Sequence, residues 1–197
     1  MTEGSYHHGN LRTALLARAE AVLADTGVDG LSLRGLARDL GVSHAAPSRH
    51  FRDRQALLDA LAVSGFTRLN ARLTTAAEGP GPVPARLAAL GRAYVEFAVG
   101  HAPLLALMFT AKRAEGSPEE LRALGHHCLE VAAGLIARAQ AEGGVRAGDP
   151  ERLAQVAFST VHGLAALAVG SLLDDTPLDE AVDLALDVLL AGLRPTP

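Results

Sequence analysis

The feature that most constrains this chain is a regular succession of helix start signals, each followed by an amphipathic segment. Ser32, Asp53, Ser117 and Asp149 are residue types that cap helix N-termini, and each precedes apolar residues at helical spacing. Gly41 follows the second of these segments, where glycine commonly ends a helix. No alternating run of β-branched residues occurs along the chain. The sequence therefore predicts an all-α fold of about nine helices.

A short stretch rich in glycine and proline, GPGPVP at 79–84, interrupts the helical pattern. It places four predicted helices before the interruption and five after it. We expect an N-terminal domain over 1–55, a fourth, connecting helix over 54–78, and a second domain over 79–197. A chain of 197 residues is long enough to bury a core in each part.

The charge distribution narrows the classes of partner. The net charge is −4, which argues against a protein that coats nucleic acid without sequence preference. Residues 1–60 carry no net charge, so the excess of acidic groups lies in 61–197. The single cysteine, Cys128, excludes an intramolecular disulfide, and the N-terminus has no apolar segment typical of a secretory signal. These features predict a cytoplasmic protein.

One segment is long enough to cross a membrane. Residues 153–173 contain no charged side chain over 21 positions. The segment nevertheless includes five polar residues: Gln155, Ser159, Thr160, His162 and Ser171. A buried helix in a core or a subunit interface explains this composition better than a membrane span does.

Residues 32–51, SLRGLARDLGVSHAAPSRHF, have the spacing of a helix-turn-helix. Leu36, Ala37 and Leu40 share one face of a short helix, and Gly41 supplies the turn to a second helix capped by Ser43. Pro47 falls in the first turn of that second helix, where it removes only one internal hydrogen bond. Simple αα-hairpins share this pattern, so the spacing alone leaves both interpretations open.

The flanking residues make the pattern more specific. The run YHHGNLR…GLSLRGLARDLGVSHAAPSRHFRDRQALLDAL resembles the DNA-binding domain of the TetR family of transcriptional regulators over about 60 residues. Further along, STVHGLAAL resembles the Trp-His-Gly element of one subgroup, with Val161 in place of tryptophan. The resemblance implies a homodimeric repressor that binds double-stranded DNA at a palindromic operator and is released by a small-molecule effector. It also implies dimerisation through 150–173 and 177–193, without a membrane.

Within this resemblance we assign the DNA contacts by position. The second, or recognition, helix enters the major groove with its N-terminal end first. Ser48 departs from the family, which usually has a tyrosine near this position to contact a phosphate. Phe51 is expected in the core. The predicted DNA contacts are Arg34, Ser43, His44, Ala45, Ser48, Arg49, His50 and Arg54.

The second half offers candidates for an effector site, although each is also a plausible core residue. The pattern indicates an apolar pocket with a few polar groups, suited to a hydrophobic or aromatic effector. We predict no catalytic residue, no metal site and no cofactor; adjacent His126 and His127 diverge on a helix and lack the spacing of a chelating pair. The candidate pocket residues are Phe66, Tyr94, Phe97, Met108, Phe109, Phe158 and His162.

Two other functions compete with a regulator. An all-α enzyme is disfavoured because the chain has no nucleotide-binding loop, metal spacing or nucleophile motif. A helical interaction module that has lost strong DNA binding remains an alternative, because Ser48 shortens the reach to the DNA backbone. Screening for an operator sequence separates these interpretations.

Overall fold

The computed structural model describes the backbone of residues 4–195 and the side chains of residues 11–195. The side chains of the YHHGN arm, and Thr196 and Pro197 of the predicted second domain, lie outside the described residues. Within the described range the chain forms eight α-helices and no strand. The helices are α1 Gly4–Thr26, α2 Leu33–Asp39, α3 Arg54–Glu78, α4 Val83–Gly100, α5 Ala102–Arg113, α6 Glu119–Ala141, α7 Pro150–Val169 and α8 Leu178–Gly192.

The all-α class is confirmed, and the helix count differs from the expected nine at one place. The predicted recognition helix is a turn followed by a 3-10 turn at Pro47–Arg49. Proline has no N–H for the Ser43 carbonyl and its ring crowds that oxygen. The Ala46 N–H donates to Ser43 instead, at 2.9 Å, which tightens the backbone into turns. We call residues 43–50 the recognition segment.

Of the helix caps predicted at Ser32, Asp53, Ser117 and Asp149, three are confirmed. The Ser32 hydroxyl accepts the Gly35 N–H at 3.1 Å, and the Asp53 carboxylate accepts the Ala56 N–H at 2.8 Å. Asp149 caps α7 in the same way, with the next residue, a proline, at the first helical position. The prediction for Ser117 is wrong, as is the predicted cap at Ser43, where the chain forms turns and no α-helix.

The exception at Ser117 lies before α6. Its hydroxyl is buried and has no hydrogen-bond partner, and its carbonyl accepts from the Arg122 guanidinium at 2.6 Å. The helix begins at Glu119, one residue later than a cap at Ser117 requires.

The chain divides into two compact units. The first contains the residues up to Phe66 together with Pro103–Arg122. In this unit α1 packs on α2, and α2 packs on the 3-10 turn. Gly65 permits a close helix crossing, because a Cβ atom there would lie 2.5 Å from the Met108 sulfur. Its buried side chains include Leu15, Leu23, Leu36, Phe51, Leu57, Leu61, Phe66 and Met108.

The second unit contains Thr67–Ala102 and the residues from Ala123 on. Here α4 packs against α7 and α8, which also pack on each other. The apolar stripes predicted from the sequence form its core, since Ala and Leu bury well at helical spacing. One cluster of this core comprises Ala77, Val83, Leu87, Ala132, Leu135, Ile136, Ala139, Val145, Ala154 and Leu193.

Helix α7 contains most of the uncharged segment 153–173. By length and composition, it alone among the unbroken described helices could cross a bilayer, and only 17% of its apolar window is buried. Its buried residues are Ala154, Val161 and Ala165, all on one face. Much apolar surface of α7 is therefore exposed.

Candidate functional site

The turn before the recognition segment is fixed by backbone geometry. Gly41 adopts a φ of 65°, in the left-handed region that favours glycine. The Val42 N–H then donates to the Ala37 carbonyl at 3.0 Å, closing α2. Leu36 and Ala37 are buried beneath this turn. The end of α2 and the start of the recognition segment are thus held by local hydrogen bonds and a small core.

The recognition segment has one buried side and one exposed side. Pro47 is buried and Phe51, directly after the segment, is 2% exposed, as expected of a core residue. The Arg12 guanidinium lies 5.5 Å from the Phe51 ring centroid, within cation–π range. His50 is half-buried. The exposed residues are Ser43, His44, Ala45, Ser48 and Arg49.

Two arginines of α2 add positive charge near this segment. Arg34, a predicted contact, is exposed, and a shallow groove brings it together with Ser32 and His44. Arg38 lines the same groove, and its side chain is 77% exposed. Sequence reasoning missed Arg38, although its spacing of four residues from Arg34 places both on one helix face.

Arg54 makes contacts that sequence reasoning did not foresee. Its Nε donates to the Leu31 carbonyl at 2.9 Å, and its Nη2 donates to the Val28 carbonyl at 2.5 Å. The guanidinium therefore ties the 3-10 turn Val28–Gly30 to the start of α3. Two of its donor groups are used inside the first unit.

The second unit encloses a small apolar cavity of about 40 Å³. Helices α3, α4, α6, α7 and α8 contribute to its wall. Among the lining side chains only Tyr94 and Cys128 are polar. The lining residues are Leu73, Leu87, Leu90, Gly91, Tyr94, Cys128, Leu129, Ala132, Ile136, Ala154, Ala157, Phe158, Val161, Leu186, Leu189, Leu190 and Leu193.

The polar groups at this cavity are tied to neighbouring residues. The Tyr94 hydroxyl and His162 Nδ1 share a hydrogen bond of 2.7 Å. The Cys128 thiol donates to the Asn70 side-chain oxygen at 2.9 Å, and Asn70 in turn donates to the Leu124 carbonyl at 3.0 Å. Neither polar lining group carries a formal charge, so the cavity suits an uncharged occupant.

Burial shifts the acid–base behaviour of the Tyr94–His162 pair. Desolvation, with a smaller contribution from Cys128, raises the pKa of Tyr94 well above its usual value of 10.0. Desolvation also lowers the pKa of His162 from 6.5. Both side chains are therefore neutral near pH 7. Phe158 stacks on the His162 ring at a centroid distance of 5.2 Å.

The seven candidate pocket residues are not gathered into one site. Tyr94 and Phe158 line the cavity, and His162 bonds to Tyr94. Phe66, Met108 and Phe109 belong to the first unit, where the Phe66 and Phe109 rings meet edge to face at 5.8 Å.

Phe97 is fully buried in the second unit. Its ring lies beneath the guanidinium groups of Arg68 and Arg72, at 5.9 and 5.5 Å. It is not among the residues that line the cavity.

Sequence reasoning missed most of the cavity lining because it searched for aromatic side chains. Leucines and alanines make up much of the lining, and these residues have the same helical spacing whether they face a cavity or a packed core. Ile136 and Val161 add two further aliphatic side chains, and Cys128 and Gly91 are the two exceptions that are neither aliphatic nor aromatic. The sequence carried no signal that distinguishes either one from an ordinary core residue.

A short helix, a glycine turn and a second segment with exposed polar side chains have the arrangement of a helix-turn-helix DNA-binding protein. The sequence profile of bacterial regulatory proteins of the tetR family matches residues 15–61. The profile of the tetracyclin repressor-like C-terminal domain matches residues 87–192, more than half of the chain. The chain therefore belongs to the TetR family of transcriptional regulators.

Individual relatives agree with this assignment. The class C tetracycline repressor protein of Escherichia coli is 45% identical over 56 residues, which are 28% of this chain and 26% of the repressor. The matched segment thus spans about a quarter of that relative. A structure of a protein of unknown function from Rhodococcus sp. RHA1 is 54% identical, covers 98% of this chain and 100% of its own, and has a TM-score of 0.90.

A more distant structure supports the fold. The TetR family transcriptional regulator PfmR from Thermus thermophilus is 19% identical, with a TM-score of 0.73. The match covers 91% of this chain and 98% of PfmR.

Proposed function

We propose that this protein is a sequence-specific transcriptional repressor that binds a palindromic operator as a homodimer and is released by a small apolar effector. The one-sided exposure of the recognition segment is the observation that supports DNA binding most directly. Pro47 and Phe51 anchor one side in the core. On the opposite side, the residues available to the major groove of DNA are Ser43, His44, Ala45, Ser48 and Arg49.

We assign roles to these side chains from their position. Ser43, His44 and Ala45 begin the segment and contact base edges, because the segment takes the place of a recognition helix, whose leading end reaches deepest into the major groove. Arg49 contacts a guanine or a phosphate, and a bidentate contact to guanine contributes about 1–3 kcal/mol of discrimination. His50 is half-buried and lies at the margin of this surface.

Contacts to the DNA backbone come from α2 and the start of α3. Arg34 and Arg38 are exposed on one face of α2 and contact phosphates. Arg54 contacts the DNA backbone through its remaining N–H groups, while its Nε and Nη2 groups hold the turn that precedes α2. Ser48 supplies a short hydroxyl where a tyrosine would reach further.

The homodimer is supported by the outer surface of α7 and α8. Six large apolar residues are exposed on these helices and in the loop between them, four of them by 60% or more, whereas isolated soluble chains avoid clustered apolar surface. TetR-family proteins bind DNA as dimers, and pairing this surface with its symmetry mate forms a four-helix interface. The six residues are Val156, Leu167, Val169, Leu172, Leu184 and Val188.

The effector site is the apolar cavity of the second unit. Tyr94 and Cys128 are its only polar lining side chains, so we assign an uncharged, largely apolar effector. Binding favours a dimer whose recognition segments are wrongly spaced for the operator. To invert operator occupancy from 1:99 to 99:1, the effector must prefer the released state by about 5.5 kcal/mol. Such a regulator acts in the cytoplasm, where the chromosome lies.

The test begins with selection of a bound sequence from random duplexes at low salt. A palindrome with half-site centres separated by about 34–36 Å, or a multiple, is expected. Binding of the selected duplex is then measured by fluorescence anisotropy for the wild type, Arg49→Ala and Arg138→Ala. Arg138 is an exposed arginine of α6, so its variant has the same charge change in the second unit.

Arg49→Ala is expected to weaken binding about tenfold or more, and Arg138→Ala is expected to leave it unchanged. If Arg49 contacts a phosphate, the slope of log affinity against log salt falls by about 1 as well. Failure to select any sequence at low salt would contradict DNA binding and favour the helical interaction module.

A further inference from the structure

The cavity of the second unit is too small for the effector that the proposed function requires. Its volume is about 40 Å³. Pockets for drug-sized ligands span about 300–1,000 Å³, and even benzene occupies an engineered cavity of about 150 Å³. Because protein interiors are close-packed, an occupant must displace part of the wall.

Among the helices that form the cavity wall, α8 has the weakest contacts with the rest of its own unit. Along its length α4 has seven buried residues, whereas α8 has two, Val182 and Leu186. Its polar tie to α4 is an ion pair between Arg92 and Asp183, both of which are partly exposed. Exposed ion pairs contribute little to stability. Displacement of α8 therefore disrupts less buried surface than displacement of α4.

Gly91 is the point where α4 meets α8 at the cavity. A Cβ atom at position 91 would lie 2.6 Å from Leu186 Cδ2 and 3.4 Å from Val161 Cγ1. All three residues line the cavity. An atom that enters beside Gly91 thus contacts Leu186 first, and Leu186 belongs to the helix that is most readily displaced.

The other face of α8 carries part of the proposed subunit interface. Leu184 and Val188, which flank Leu186 in the sequence, are 67% and 66% exposed. Leu186 is 4% exposed, so its side chain has little room to rotate away from an occupant, and the helix that carries it must move instead. Such a movement shifts the two exposed side chains that a second subunit would contact.

We propose that occupancy of the cavity weakens subunit association, and that the contact between Gly91 and Leu186 transmits the effect. The inference rests on the proposed homodimer and assigns a regulatory role to that interface. Because binding free energies are linked, dimerisation must weaken binding of the occupant by the same factor. The effector would then act in two ways: it would change the spacing of the two recognition segments in a dimer, and it would lower the fraction of the protein that is dimeric.

The variant Gly91→Ala tests this inference by placing one methyl group where an occupant would lie. Sedimentation velocity over a dilution series of the full chain measures the dimer dissociation constant, and circular dichroism confirms folding. We expect the constant to rise about tenfold, within the 5–150-fold range of typical couplings. The matched control is Gly134→Ala on α6, where a Cβ atom would have no neighbour within 4 Å. Its dissociation constant should equal that of the wild type.

A folded Gly91→Ala dimer with an unchanged dissociation constant would overturn the coupling and leave the homodimer intact. A wild-type chain that stays monomeric would instead overturn the homodimer itself. If Gly91→Ala does not fold, the comparison is made between Leu186→Ala and the double variant Gly91→Ala/Leu186→Ala, in which the methyl group has room. Equal dissociation constants for these two support transmission through Leu186, and a weaker double variant contradicts it.

Discussion

The recognition segment and the cavity hold their candidate functional side chains in opposite ways. Two buried residues, Pro47 within the recognition segment and Phe51 directly after it, anchor a group of exposed side chains. In the cavity the candidate effector-contacting side chains are themselves part of the core, as Val161 and Leu186 show. The residues that anchor the recognition segment in the core are different from those proposed to contact DNA. In the cavity the same residues form the core and are proposed to contact the effector. Substitutions should therefore separate stability from function in the first unit and combine them in the second.

The largest expected effect comes from the same truncation made in each region. Phe51→Ala should lower the free energy of unfolding by about 3–5 kcal/mol, because it removes a side chain that is 2% exposed. Phe158→Ala should cost less, about 1–2 kcal/mol, because Phe158 is half-buried beside space that already exists. Urea unfolding followed by circular dichroism measures both. Equal losses would show that the cavity wall is packed as tightly as the anchor.

The first unit was the more predictable because its local signals are chemical. The Ser32 and Asp53 caps, the Gly41 turn and the burial of Phe51 all follow from residue type and spacing, and the structure confirms them. The recognition segment itself was predicted as an α-helix. Pro47 converts it to turns, because the number of helical hydrogen bonds that a proline removes depends on its position within the first turn.

The cavity could not be predicted, and the reason is physical. Whether Leu190 or Ala157 faces space or another side chain depends on how helices distant in sequence fit together, and periodicity does not record that fit. The grouping of Phe66 and Phe109 in the first unit has the same origin. Aromatic residues were reasonable candidates by type, but packing decided which of them meet.

The next expected effect is a gain in operator affinity when Ser48 of the recognition segment is replaced. Ser48→Tyr should tighten operator binding about tenfold, because a tyrosine hydroxyl can donate a charge-assisted hydrogen bond to a phosphate. Ser48 is exposed, so a ring at this position meets solvent and not the core. Anisotropy titrations measure the affinity, and Ser48→Phe is the matched control without the hydroxyl. If Ser48→Phe tightens operator binding as much as Ser48→Tyr does, the effect comes from the aromatic ring and not from the hydroxyl.

A smaller effect is expected from pH in the second unit. Burial lowers the pKa of His162, so below about pH 6.5 the unfolded chain binds more protons at this residue than the folded chain does. The stabilisation is complete above pH 6.5 and is lost as the pH falls through the lowered value. His162→Asn retains a partner for the Tyr94 hydroxyl but does not titrate.

The comparison uses urea unfolding at pH 7.5 and pH 5.5. The wild type should lose more stability over this range than His162→Asn does. The difference should stay below the roughly 1.4 kcal/mol of one full pKa unit, because His162 is only half-buried. If the wild type and His162→Asn lose the same stability between pH 7.5 and pH 5.5, His162 does not contribute to the pH dependence of the free energy of unfolding.

The smallest expected effect compares a glycine in each region. Helix-interior Gly→Ala substitutions ordinarily stabilise by about 0.5–1 kcal/mol, and Gly134→Ala on α6 should do so because no atom obstructs the new methyl group. Gly35→Ala should change stability by less than about 0.5 kcal/mol, since its Cβ atom would lie 2.8 Å from the Ser32 hydroxyl. That hydroxyl caps α2 by accepting the Gly35 N–H, so the helical gain is offset by a disturbed cap.

Thermal unfolding of the two variants measures this difference directly. If Gly35→Ala stabilises as much as Gly134→Ala, the Ser32 side chain moves aside without cost and the cap is not rigid. The opposite outcome, a loss well beyond about 0.5 kcal/mol, would mean that the cap is worth as much as the strongest measured ones, about 2 kcal/mol. In that case Gly35 is required for the geometry of α2, because a side chain at this position would prevent Ser32 from capping the start of the helix-turn-helix.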